Sequence, residues 1–143
     1  MNADAEPRDV HVSSVFVRAG FDAVWDRVAD PLGFPELYPN WTSTVERDGD
    51  GTFRGTGPDG DEFTISPRLR REVGVVDFDV TDAEGNVERS RSRLFPVGDD
   101  CCVLVHLAIR RPGVSDDGWE EHTRGTDEDL ERAKRLIESE SAR

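Results

Sequence analysis

The chain has 143 residues, 35% of them hydrophobic and 34% charged, with a formal net charge of −13. That length predicts one domain, 1–143, able to bury roughly two-thirds of its unfolded surface. The charge argues against nucleic acid or an anionic membrane as partner, because both need a basic patch. It is built from 18 Asp against 13 Glu and from 17 Arg against one Lys. Such a surface stays hydrated where salt screens ordinary repulsion, a halophilic adaptation, although a codon bias toward Arg and Asp gives the same composition.

The first residues, M-N-A-D-A-E-P-R-D, lack the basic-then-apolar pattern of a signal segment. The longest apolar run, CCVLVHLAI, is too short to span a bilayer. A soluble, cytoplasmic chain without membrane insertion is expected, flexible at about 1–8 and 141–143. Val10–Val17 is short and β-branched and predicts a strand. Gly20 precedes a helix from Phe21 to Ala29, with Phe21, Val24, Trp25 and Val28 on one stripe, and Pro31 ends it. Leu32–Tyr38 predicts a second short helix, closed by Pro39.

After Trp41 the period becomes two. Strands are expected near 41–47, 52–56, 62–69, 75–81, 87–95 and 101–110, divided by glycine-rich turns. A Pro58-Asp59-Gly60 loop pairs Phe53 with Ile65 and Gly55 with Phe63. An Ala83-Glu84-Gly85 loop pairs Asp77 with Arg91 and Asp79 with Arg89. It leaves Val76, Phe78, Val80, Ser90, Ser92 and Leu94 on the other face. The last strand has a wholly apolar face (Cys101, Val103, Val105, Leu107, Ile109), expected beside Leu94 and the serines, and a mixed face that carries His106 outward. Cys101 and Cys102 are adjacent and predict reduced thiols.

The C-terminal region predicts a long helix from about Ser115, kinked or interrupted near Gly125, where Thr126 and Asp129 resemble a capping box. Its stripe is Trp119, Thr123, Thr126, Leu130, Ala133, Leu136 and Ile137. One apolar sheet face needs one cover, and this helix is the candidate. The expected fold is α+β: a curved antiparallel sheet of about seven strands wrapped around the last helix, with two short helices after the first strand.

No phosphate-binding loop, nucleophile elbow, zinc motif or C-x-x-C is present. The carboxylates fall in turns, at helix starts or on the outer face, so no catalytic residue, metal or cofactor is expected. Small hydroxylated residues stand where a filled core favours Leu or Val: Ser90 and Ser92 on the sheet, Thr123 and Thr126 on the helix. They either line a partly polar cavity or bond backbone and water.

The segments FVRAGFDAVWDRVADPLGFPELYPNW, GVVDFDV, RSRLFPVGDDCCVLVHLAIRRPGVSDDGW and DEDLERAKRLIE cover nearly the whole chain. Together they resemble the SRPBCC/START-like superfamily, specifically its polyketide cyclase/dehydrase-like branch. The resemblance implies a helix-grip fold whose pocket, between sheet and long helix, takes a small hydrophobic molecule such as a lipid, polyketide, sterol or quinone. Phe34, Tyr38 and Trp41 are then expected at its rim, with Phe53, Phe78, Ser90, Ser92, Val105, Trp119 and Thr123 as further ligand contacts. A cyclase- or dehydratase-type enzyme using hydroxyls and water, and a protein-binding module with little cavity, are the competing expectations. The sequence leaves the oligomeric state open.

Overall fold

The computed structural model describes residues 8–142. Its seven strands are β1 (Val10–Val17), β2 (Thr44–Arg47), β3 (Phe53–Thr56), β4 (Glu62–Arg70), β5 (Val75–Asp82), β6 (Val87–Val97) and β7 (Cys101–Ile109). They form one antiparallel sheet in the order β1-β7-β6-β5-β4-β3-β2. Between β1 and β2 run α1 (Phe21–Val28), a 3-10 turn at Pro31–Gly33 and α2 (Phe34–Leu37); α3 (Asp116–Ser141) follows β7. Of the ends expected to be flexible, residues 1–7 and 143 lie outside the described residues, and Ser141 closes α3. No helix among the described residues is long and apolar enough to cross a membrane.

Each helix forms for a local reason. α1 buries Val24, Trp25 and Val28, and Asp30 then accepts from the Leu32 N–H at 3.0 Å to start the next turn. In α3 the Ser115 hydroxyl accepts from the Gly118 N–H at 3.0 Å, and Asp116 and Asp117 lie at the positive end. The expected interruption at Gly125 is absent. A Cβ at Gly125 would lie 3.3 Å from that of Asn40, so the glycine admits a neighbouring segment while the helix runs straight through. The expected capping box is absent too. The Thr126 hydroxyl donates to the His122 carbonyl one turn back, at 2.9 Å, and Asp129 is buried.

Two turns set their registers as expected. Gly60, at φ +86°, closes a hairpin that pairs Phe53 with Ile65 and Gly55 with Phe63. Asp79 pairs with Arg89. Asp77, however, meets Arg93 at 2.7 Å rather than Arg91. The β5–β6 pairing lapses between Phe78↔Ser90 and Val75↔Arg93, and there the Asp77 carboxylate takes the Ser92 N–H in place of a backbone carbonyl.

The larger correction concerns β7. A three-residue loop, Gly98-Asp99-Asp100, pairs Val97 with Cys101 and therefore Leu94 with Leu104 and Ser92 with His106. This puts Cys102, Leu104, His106 and Ala108 on the inner face. The wholly apolar set faces outward, in rows Phe16–Val103–Phe95, Ser14–Val105–Arg93, Val12–Leu107–Arg91 and Val10–Ile109. With a period of two, one residue of register exchanges the faces.

The buried core gathers Phe34 and Leu37 from α2 and Leu130, Ala133 and Ile137 from α3. The sheet supplies Val15, Val17, Phe53, Ile65, Val76, Phe78, Leu94 and Leu104. Each large side chain so buried contributes roughly 1.5–3 kcal/mol.

Candidate functional site

A polar band crosses the inner face where α3 begins. Ser92 on β6, His106 on β7 and Ser13 on β1 form one cross-strand row. Ser92 Oγ and His106 Nδ1 are 2.9 Å apart. The Ser13 hydroxyl donates to the Asp127 carboxylate of α3, and His11 Nε2 reaches the same oxygen at 2.9 Å. Burial alone would raise the Asp127 pKa, but the Ser13 and His11 hydrogen bonds outweigh it and hold the carboxyl below its ordinary value.

His106 is the central group. Burial, with His122 and His11 nearby, lowers its pKa to about 4, and Asp77 offsets this only in part. The imidazole is therefore neutral at pH 7. Nδ1 is engaged by Ser92, while Nε2 has no hydrogen-bond partner among the described residues. Ser90, one position further along the face, likewise has an unengaged hydroxyl among the described residues. A neutral ring with one free nitrogen can accept a proton or a hydrogen bond, or donate one, depending on its tautomer.

The position of α3 decides how deeply the band is buried. The helix runs along β1 and touches α1 and α2. Ser90, Ser92, His106, Trp119, Thr123 and Thr126 are half-buried, whereas Leu130, Ala133 and Ile137 further along α3 are buried. Trp119 stacks on His122 with ring centroids 5.9 Å apart. A separate hollow of about 260 Å³, bordered by Thr44, Val45, Glu46, Arg54, Gly55, Thr56 and Glu62, shares no residue with the band.

The proline-rich corner is packed and tied down. Phe34 is fully buried and meets Phe78 edge-on at 5.1 Å, so it is a core residue and not a rim residue. Tyr38 and Trp41 lie against Phe34, and Trp41 stacks on Phe63 at 5.9 Å. Burial, then the neighbouring Asp129, raises the Tyr38 pKa, which keeps the phenol protonated. Asp129 Oδ1 accepts from the Asn40 backbone N–H at 3.1 Å and side-chain amide at 3.0 Å, and Arg132 donates to the Glu36 carbonyl at 2.7 Å. Burial raises the Asp129 pKa to about 6 despite those donors.

The sequence-predicted contacts thus divide. Ser90, Ser92, Trp119 and Thr123 belong to the half-buried zone. Phe53 and Phe78 are buried in the core, and Arg47 lies over the Phe53 ring at 5.5 Å. Val105 is on the outer face beside Arg93 and Ser14, away from any space under α3, because the β6–β7 loop reverses the expected faces. The Thr123 hydroxyl donates to the Glu120 carbonyl at 3.1 Å and is occupied there. His106, expected on the outer face, lies on the inner one. The parity of the Gly98-Asp99-Asp100 loop was the signal that placed it inside.

Among the described residues no cluster of three or more His, Cys, Asp or Glu side chains is arranged to hold a metal ion. No protein-family model matches the chain, and no curated protein matches it in sequence. Solved structures do match in shape. The Zhui aromatase/cyclase from Streptomyces sp. R1128 superposes with a TM-score of 0.69 at 19% identity, over 96% of this chain and 95% of that one. The architecture is the helix-grip fold. Norcoclaurine synthase from Thalictrum flavum shares it, with a TM-score of 0.66 at 18% identity over 96% and 98% of the two chains. So does the di-domain aromatase/cyclase BexL of the BE-7585A biosynthetic pathway, with a TM-score of 0.70 at 18% identity over 91% of this chain and 46% of that one. At these identities the likeness establishes the helix grip, while function has to be argued from side chains.

Proposed function

We propose that this helix-grip domain binds a small, largely apolar molecule carrying a carbonyl or hydroxyl group, of the polyketide, quinone or lipid type. The ligand lies between the inner face of β5–β7 and the first turns of α3. Its apolar body packs on Trp119, and its polar group meets His106 and the serines. The observation that carries this is His106 itself: inward, neutral, half-buried, and with Nε2 unengaged among the described residues. Such a group fixes a ligand's orientation. The neighbouring aromatase/cyclase and norcoclaurine synthase structures support a small-molecule site in this fold.

Native mass spectrometry after gentle purification, followed by a thermal-shift panel of lipids, aromatic polyketides and quinones, tests it. A co-purifying or panel ligand is expected, and His106→Leu should weaken binding about fivefold to tenfold, the worth of one hydrogen bond. If nothing co-purifies and no panel member shifts the midpoint, the proposal fails.

A second function is favoured by the same imidazole. With its pKa lowered to about 4 this imidazole is a weak base, suited only to a carbon acidified by two flanking carbonyls. It can take that carbon's proton and return it to a leaving hydroxyl, the step a cyclase or dehydratase needs. Turnover of a poly-ketone substrate that is lost in His106→Gln, with ligand affinity retained, would separate catalysis from carriage.

A further inference from the structure

The outer face of β1, β7 and β6 is the least expected surface in the molecule. Five of the nine large apolar residues that stand exposed among the described residues share it: Val10 (61%), Val12 (58%), Phe16 (44%), Phe95 (51%) and Val97 (45%). Scattered exposed hydrophobes are ordinary, but a contiguous set is not. These five alone expose about 450 Å², already in the range of the largest patch on a typical monomer. With the half-buried rows of β7 and the stems of Arg91 and Arg93, the face approaches the roughly 800 Å² that each partner gives to a standard interface.

Its charge names the occupant. The chain has 31 acidic residues among 143, yet no outward position on β1, β7 or residues 91–97 of β6 is acidic. Arg93 is neutralised by Asp77, and Arg91, which has no carboxylate partner among the described residues, stands at the β6 margin. An anionic membrane would be repelled by a chain of net charge −13. Two copies of such a chain can touch only where carboxylates do not oppose one another, and this face is that place. We infer that a second copy of this chain covers the outer face of β1, β7 and β6, forming a twofold dimer. The carboxylates around the margin still repel, so salt strengthens the association, by screening them and by favouring apolar burial.

Sedimentation equilibrium of the full chain in about 0.1 M and about 2 M KCl tests this. The expected result is a dimer whose dissociation constant falls about tenfold or more in the higher salt. Phe95→Glu and Val12→Glu should each yield folded monomers at both salts, with the far-UV circular dichroism of the parent and a thermal midpoint that no longer rises with protein concentration. Val73→Glu adds the same charge at an equally exposed position off this face, and it should leave the dimer intact. Two substitutions on the face are used so that one decides if the other fails to fold. A parent chain that stays monomeric at both salts overturns the inference, as does a folded Phe95→Glu or Val12→Glu chain that associates like the parent. So does flotation of the parent with phosphatidylcholine/phosphatidylglycerol vesicles in preference to self-association.

Discussion

Replacing Asp129 by Asn should stabilise the protein at neutral pH and do progressively less as the solution is acidified. Asp129 is 4% exposed, and folding raises its pKa from 3.8 to about 6. A carboxyl whose pKa rises on folding holds its proton longer in the folded chain. The stability this brings is complete below pH 4 and is lost as the pH rises through 6. At about 1.4 kcal/mol per unit, keeping the side chain ionised in place costs about 3 kcal/mol at pH 7.5. Both Asn40 donors use the same oxygen, Oδ1, which an asparagine retains. The new amide must still find an acceptor, so the expected gain is about 2 kcal/mol, or roughly 4 °C in melting temperature for each of those. Urea unfolding of both proteins from pH 4.5 to 7.5 measures it. The gain should shrink by about 2 kcal/mol between those limits. A variant no more stable than the parent at pH 7.5, or a difference that does not change with pH, would refute the reasoning. Asp129→Ala, which abandons Asn40, should be destabilised throughout.

Three further outcomes follow from other residues. His106 has a folded pKa lowered to about 4, so its stabilising effect is present above pH 6.5 and is lost as the pH falls through 4; His106→Gln, still able to bond Ser92, should flatten that acid limb in the same urea titration. The Thr42 hydroxyl is buried and has no hydrogen-bond partner among the described residues, so Thr42→Val should raise stability by about 1 kcal/mol, read as a later urea midpoint with an unchanged slope. A Cβ on Gly74 would lie 2.1 Å from the Leu94 carbonyl oxygen, at a φ of +67°. Gly74→Ala should therefore cost about 3 kcal/mol or more and lower the melting temperature by roughly 10 °C.

Local chemistry made most of the fold legible. Pro31 stops α1, Gly60 sets the β3–β4 register, and opposed Asp79 and Arg89 locate the β5–β6 hairpin. Failures came where a long-range partner outweighed the local pattern. β7 has two faces that both alternate well, and only the loop before it and the Val15–Leu104–Leu94 row decide which one turns inward. Gly125 and Thr126 carry the residues of a helix break, but the Asn40 contact gives the glycine a different purpose. Phe34 stands among prolines and a glycine, yet its burial depends on Phe78, 44 positions away. The candidate site was legible in its serines and Trp119 but not in His106, because that side chain's direction hangs on one residue of register.

The sheet order also dictates a schedule. β1 lies at one end of the sheet and pairs only with β7, so its eight residues have no strand partner until positions 102–109 have been synthesised. Closing a segment that long carries a larger entropic cost than any hairpin here, and it comes late. Until then VHVSSVFV is an apolar strand with no proline or lysine to discourage mispairing. Expression yield should therefore respond more sharply to chaperone supply and to growth temperature than equilibrium stability alone would suggest. β1 is made before every other strand of this sheet, yet it is among the last to find its place.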